Sequence, residues 1–131
     1  MTAFVDTNVL VHHLTGDPAE PAARATAFLY AADALLLTDL VVAQTVHVLE
    51  AFYEAPRDTI ARAMRSLIAF DAVVCVDPSL LLRAVEVYET AGIDFGAAYL
   101  VACAETTGVS GIVSFDAAVD RATTVDRIEP P

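Results

Sequence analysis

The chain has 131 residues, enough to bury a core without disulfides or a structural metal, so we predict one domain over residues 1–131. A net charge of −11 would repel the phosphate backbone of RNA or DNA, which argues against a basic nucleic-acid-binding groove. All 7 basic residues are arginine, and the lack of lysine excludes P-loop phosphate binding and Schiff-base catalysis. The longest apolar run, residues 97–104, is far shorter than the roughly 18 to 20 residues of a membrane span, and no secretory signal precedes Asp6. We therefore expect a cytoplasmic protein that does not enter a membrane.

The first half of the chain is predicted to hold two strands and four helices. A short strand at 3–5 runs into Asp6, whose side chain can cap a helix that Gly16 ends. Apolar residues at helical spacing predict further helices over 20–32, 40–54 and 57–70, with a buried strand at 35–37 after the first of these. Asp39 is a candidate cap for the helix over 40–54, and Pro56 is expected to end it.

The second half continues the alternation of strands and helices. The clearest strand, 72–76, precedes Pro78, after which Ser79 can cap a helix over 80–90. Asp94 opens a helix that runs to residue 107, and strands at 112–114 and 125–128 follow. Strands separated by helices imply parallel pairing through right-handed crossovers. The predicted fold is therefore α/β, a three-layer sandwich with helices on both faces of a parallel sheet.

Two aspartates follow the ends of predicted strands. Asp6 follows the strand at 3–5, and Asp116 follows the strand at 112–114. Because ligands of parallel sheets bind beyond the carboxyl ends of the strands, we expect both carboxylates on one rim. A lone aspartate there is usually a helix cap, but two carboxylates on one rim repel each other, and a divalent cation relieves that repulsion. The sequence therefore predicts a cation site at this rim.

Four segments, taken in order, resemble the motifs of the PIN domain family. They are FVDTNVL at 4–10, LVVAQTVHVL at 40–49, DFGAAYLVA at 94–102 and VSFD at 113–116. Each segment alone is a weak signal, whereas four in the expected order are specific. The resemblance covers almost the whole chain and is strongest to VapC-type toxins of bacterial toxin–antitoxin pairs.

The resemblance implies a five-stranded parallel sheet and four acidic residues that bind Mg²⁺ or Mn²⁺ for the hydrolysis of RNA phosphodiesters. It also implies a cognate VapB-like antitoxin as partner, an RNA substrate and a homodimer. The first and fourth acids match Asp6 and Asp116. Supporting polar groups match Thr7, Asn8 and Ser114.

Two of the four acid positions are altered in this chain. The second acid, ordinarily glutamate, falls on Gln44, and the third, ordinarily aspartate, falls on Ala97. Glutamine keeps a carbonyl oxygen but loses the charge, whereas alanine has no ligand atom, so Mg²⁺ binding should be weak. Asp94 lies one helical turn before Ala97, and it either replaces the missing ligand in part or caps the helix.

Other residues that often bind metals are given structural roles. Asp120 is expected to be solvated rather than to join the site. His12 and His13 are adjacent and therefore point in different directions, so we expect no histidine metal site. Cys75 and Cys103 lie in apolar segments without ligand spacing and are expected to be small core residues.

Three functional interpretations are open on the sequence. The first is a metal-dependent ribonuclease toxin that a protein antitoxin holds in check. The second is a PIN protein that keeps antitoxin or RNA binding but has lost cleavage. The third is a toxin silenced on purpose, since glutamate to glutamine and aspartate to alanine are common inactivating substitutions. Haloacid-type phosphatases and response-regulator receivers also place aspartate at strand ends, but they ordinarily use a lysine, which this chain lacks.

Overall fold

The computed structural model describes all 131 residues, and these form two compact units, Met1–Val76 and Asp77–Pro131. The first unit contains three strands and four helices. They are β1 (Thr2–Phe4), α1 (Thr7–Thr15), α2 (Ala19–Ala31), β2 (Ala34–Leu36), α3 (Asp39–Ala51), α4 (Arg57–Ile68) and β3 (Val73–Val74). The strands form a parallel sheet in the order β1-β2-β3, with Ala3 opposite Leu35. Two helices connect each pair of neighbouring strands, as parallel pairing requires a long crossover.

Apolar side chains from the helices and the sheet of the first unit are fully buried, including Leu10, Leu29, Leu35, Ile60 and Met64. Burial of a side chain of this size stabilises a fold by about 1.5 to 3 kcal/mol. These residues therefore fix which face of each helix turns inward. That in turn fixes which side chains stand at the strand ends.

The helix ends of the first unit correct two details of the sequence prediction. Thr38 caps α3, because its backbone is extended and its side chain accepts a hydrogen bond from the Val41 amide at 3.2 Å. Asp39, the predicted cap, is instead the first helical residue. The helix ends at Ala51, well before Pro56, which precedes α4 instead. Gly16 ends α1 as predicted, in the left-handed conformation (φ 69°) that glycine adopts without strain.

The second unit contains two helices that pack against each other and a pair of parallel strands. They are α5 (Pro78–Ala91), α6 (Phe95–Thr107), β4 (Gly111–Val113) and β5 (Asp126–Ile128). A 3₁₀ helix, Ala117–Arg121, lies between the two strands and was not predicted. Asp77 caps α5 through the Leu80 amide at 3.1 Å, so the prediction of Ser79 as cap is wrong.

The α/β class and the parallel pairing are confirmed, in a three-stranded piece and a two-stranded piece. The strand predicted at 72–76 is reduced to Val73–Val74. A single five-stranded sheet, a three-layer sandwich and a single domain stay predictions. None of the helices combines the length and the apolar character that a membrane crossing demands.

Candidate functional site

Asp6 lies between β1 and α1 and forms the N-cap of α1. Its backbone is extended, and its Oδ1 accepts a hydrogen bond from the Thr7 amide at 2.7 Å. The side chains of Asp6 and Asn8 are both exposed. The carboxylate therefore stands at the strand end, as predicted, and at the positive end of a helix dipole, which stabilises its charge.

Gln44 lies on the exposed side of α3, between the buried Val42 and Val46. Its Oε1 accepts a hydrogen bond from the Thr7 hydroxyl at 2.8 Å. The bond joins two residues that are 37 positions apart and ties the first turn of α1 to α3. Thr7 thus holds the carbonyl oxygen at the predicted second acid position, a contact that could not be foreseen from the sequence.

Asp116 follows β4 and caps the 3₁₀ helix. Its Oδ1 accepts from the Ala118 amide at 2.9 Å, and its own amide donates to the Ser114 hydroxyl at 3.0 Å. Asp116 is exposed. Ser114 and Asp116 therefore form a local turn in which the carboxylate is held by backbone. Asp6 belongs to the first unit and Asp116 to the second, and the common rim of the two carboxylates stays a prediction.

Asp94 and Ala97 lie at the beginning of α6. Asp94 is the N-cap, and its Oδ1 accepts a hydrogen bond from the Ala97 amide at 2.8 Å. The side chain of Ala97 is a partly buried methyl group. At the predicted third acid position the chain therefore offers a backbone amide and no side-chain oxygen.

Arg127 on β5 is a residue of this region that the sequence analysis missed. Its Nη1 donates to the Ser114 carbonyl at 3.1 Å, and its Nε donates to Asp120 Oδ1 at 3.1 Å. The hydrogen bonds that Arg127 donates to Asp120 raise the pKa of Arg127. Asp120 is exposed, as expected, but it belongs to an ion pair that braces the end of β4. The sequence signal that could have pointed to Arg127 is its position as a basic residue inside a short predicted strand.

A second ion pair joins α5 to α6 in the same unit. Arg83 binds Glu105 through two hydrogen bonds of 2.6 and 2.9 Å, and Glu105 also accepts from the Thr124 hydroxyl at 2.6 Å. The hydrogen bonds from Arg83 lower the pKa of Glu105 to about 2. Glu105 is therefore a structural carboxylate, whose charge is used to hold the two helices together.

The histidines and cysteines make ordinary local contacts. Nδ1 of His12 lies 2.8 Å from the Asp17 carbonyl, and Nδ1 of His13 lies 2.8 Å from the Thr26 hydroxyl. Burial lowers the pKa of His13. Both cysteines, Cys75 and Cys103, are partly exposed rather than fully buried.

The side chains present do not fit a tightly held divalent cation. Nowhere do three or more histidine, cysteine, aspartate or glutamate side chains form a group that could hold a metal ion. Residue 44 supplies a neutral amide oxygen that accepts a hydrogen bond from Thr7, and residue 97 supplies no side-chain oxygen. Mg²⁺ and Mn²⁺ select oxygen ligands and depend on carboxylate charge for their affinity, so the donor set is two charges short of the one that the family resemblance implies.

Comparisons with known proteins bear on the family. No curated protein matches the chain significantly. Among solved structures, the crystal structure of VapC20 from Mycobacterium tuberculosis, a toxin that cleaves the sarcin-ricin loop, is 20% identical to this chain. The match covers 92% of this chain and 94% of that one, with a TM-score of 0.43. The family model of the PIN domain matches residues 3–124, and the chain therefore belongs to the PIN domain family.

Proposed function

We propose that this chain is a VapC-type PIN protein of the metal-dependent endoribonuclease class, impaired in this sequence at two of its four acid positions. The observation that carries the proposal is the match of the PIN model to residues 3–124, which includes all four motif segments. Asp6 lies two residues after the end of β1 and Asp116 three residues after the end of β4, and by resemblance they match the family's first and fourth acids. We assign both to the site as its remaining acids.

The proposed impairment follows from ligand chemistry. Gln44 presents an oxygen of the right kind without charge, and Ala97 presents none. Each missing carboxylate weakens the hold on a divalent cation. We therefore expect isothermal titration of the chain with MgCl₂ to show weak binding at neutral pH. Tight, stoichiometric binding that Asp6→Ala abolishes would contradict the proposed impairment.

The second candidate function is a PIN protein that binds its partners without cleaving RNA. The absence of any three-residue metal-binding group favours it. So does the position of Asp94, whose carboxylate bonds the amide of residue 97. In this case the chain retains antitoxin or RNA binding and has no residual nuclease activity.

A VapB-like antitoxin is the proposed partner, in the cytoplasm and with the toxin as a homodimer. A groove of 490 Å³ in the first unit runs beside Asp6 and is lined mainly by apolar side chains of β1, α1 and α2. With a net charge of −11, the chain should attract a segment that combines apolar and basic residues. Stopped-flow association with the antitoxin should slow as salt is raised, and a salt-independent rate would contradict this picture.

The deciding experiment restores both acids, Gln44→Glu with Ala97→Asp. The double variant should cleave a mixed structured RNA with added Mg²⁺ or Mn²⁺, and its expression without antitoxin should be toxic. Asp6→Ala in the restored background is the control for contaminating nuclease. If the double variant binds metal and cleaves no RNA, the assigned substrate class is wrong. If it binds no metal, the assignment of positions 44 and 97 is wrong.

A further inference from the structure

The acidic side chain closest in sequence to position 97 already has a hydrogen-bonding role. Asp94 has the extended backbone of an N-cap (φ −63°, ψ 158°), and its Oδ1 accepts from the Ala97 amide at 2.8 Å. Ala97 is the third residue of α6, and the amide of a residue at this position has no partner inside the helix. One oxygen of Asp94 is thus directed to the helix end rather than to an added ligand.

The neighbouring glycine is consistent with that role. Glycine in a helix is less favourable than alanine, so a glycine at the second position of α6 needs a local reason. A Cβ placed on Gly96 would lie 3.3 Å from Asp94 Oδ1, which is a tight contact. Gly96 therefore leaves room for the capping carboxylate. The first turn of α6 contains no acidic residue that could replace Asp94 in this interaction.

Asp77 shows what an ordinary cap looks like in the same unit. Its Oδ1 accepts from the Leu80 amide at 3.1 Å, at the beginning of α5. Asp77 lies outside the four segments that resemble PIN motifs, so no metal-binding role is assigned to it. Asp94 and Asp77 thus make the same kind of bond, each to an amide three residues further along the chain, whereas Asp6 and Asp116, the two acids assigned to the site, bond amides one and two residues further along.

We infer that Asp94 serves this chain as a helix N-cap, required for its hydrogen-bond acceptor and not for its charge, and does not replace the carboxylate missing at position 97. The inference goes beyond the proposed function, because it concerns the stability of the fold in the absence of metal and RNA. The inference distinguishes a helix-capping role from a metal-binding role. Asparagine caps a helix about as well as aspartate does, whereas a ligand of Mg²⁺ loses its value with its charge.

The test compares thermal unfolding of Asp94→Asn and Asp94→Ala in the full chain, with Asp77→Asn and Asp77→Ala as the matched pair. Each alanine variant should lower the Tm by about 3 to 6 °C, from the usual cost of a lost cap in a chain of this length. Each asparagine variant should stay within about 2 °C of the parent. Added MgCl₂ should change the Tm of Asp94→Asn and of the parent equally.

Several outcomes would overturn the inference. One is an Asp94→Asn variant as unstable as Asp94→Ala while the Asp77 pair behaves as expected, which would mean that the charge is required. Another is a rise in the Tm of the parent with MgCl₂ that Asp94→Asn loses. An Asp94→Ala variant as stable as the parent would also overturn it. If Asp94→Ala does not fold, Asp94→Ser, which keeps an acceptor oxygen, takes its place and should match asparagine. No RNA enters the measurement, so its outcome is independent of the ribonuclease proposal.

Discussion

The two altered acid positions lie in different units and have lost different things. Gln44, at the predicted second acid position, has an uncharged side-chain oxygen that accepts a hydrogen bond from the Thr7 hydroxyl at 2.8 Å. Ala97, at the predicted third acid position, has no side-chain oxygen, and its amide is bonded to Asp94. Position 44 therefore has a positioned but neutral oxygen, whereas position 97 lies in the capped first turn of a helix. If the proposed assignment of the two positions holds, placing an acid at each of them should not have equal effects.

The largest effect expected from this comparison is on RNA cleavage by the single restorations. Ala97→Asp should raise Mg²⁺-dependent cleavage more than Gln44→Glu, because it adds a ligand atom as well as a charge. The gain should exceed the roughly 10- to 100-fold that an outer-shell partner contributes at a metal site. Initial rates on one RNA, with Ala97→Asn as the uncharged control, measure it. Equal gains in cleavage rate from the two single variants would contradict this comparison. A gain in the double variant no larger than the product of the two single gains would also contradict it.

Thr7 offers a smaller effect that sharpens the account of position 44. In the background Gln44→Glu with Ala97→Asp, Thr7→Val should lower cleavage on the order of 10-fold, because residue 44 loses the hydroxyl that positions its oxygen. Thr7→Ser keeps the hydroxyl and is the matched control. The loss should be accompanied by weaker Mg²⁺ binding in isothermal titration. Equal activity of the valine and serine variants would show that the Thr7 bond does not position residue 44.

Glu105 provides the contrast to Asp94 on the same helix, a carboxylate whose charge is needed. Its pKa is lowered to about 2 by Arg83, from a usual value of 4.5, so its stabilising contribution is complete above pH 4.5 and is lost as the pH falls toward 2. Because the Arg83 side chain is 38% exposed, we expect the ion pair to contribute only about 1 to 2 kcal/mol to the free energy of unfolding. Urea unfolding across this pH range should show the decline in the parent and not in Glu105→Gln. Glu86→Gln removes the charge of the more exposed partner of Arg83, and this variant should still lose stability as the pH falls.

The smallest expected effect is that of Gly96→Ala. Alanine is the better helix former and should raise the free energy of unfolding by up to about 1 kcal/mol. The added Cβ would lie only 3.3 Å from Asp94 Oδ1, so the net change in the parent should be near zero. In the Asp94→Ala background the crowding is gone and the gain should appear. A double-mutant cycle of unfolding free energies measures the coupling. Equal gains in both backgrounds would show that Gly96 leaves no space that the cap needs.

Much of the secondary structure could be predicted because it depends on local rules. The helices at 20–32 and 57–70 were found within two residues of the observed ends, since apolar spacing and the penalty against proline act over a few residues. Caps were assigned less well. Thr38 and Asp77, rather than Asp39 and Ser79, make the capping bonds, because the cap is the residue whose backbone is not yet helical; it is extended at Thr38 (φ −83°, ψ 155°) and non-helical at Asp77 (φ −137°, ψ 86°).

The sequence by itself determined the family motifs and the order of the elements, because these are properties of residue type and spacing, and it predicted the two altered acid positions on the same basis. Only the tertiary structure decided what those residues touch. The bond from Thr7 to Gln44 and the brace from Arg127 to the Ser114 carbonyl join positions 37 and 13 apart in the chain. No local rule specifies such partners, because they are set by how the buried faces of the helices and strands pack together.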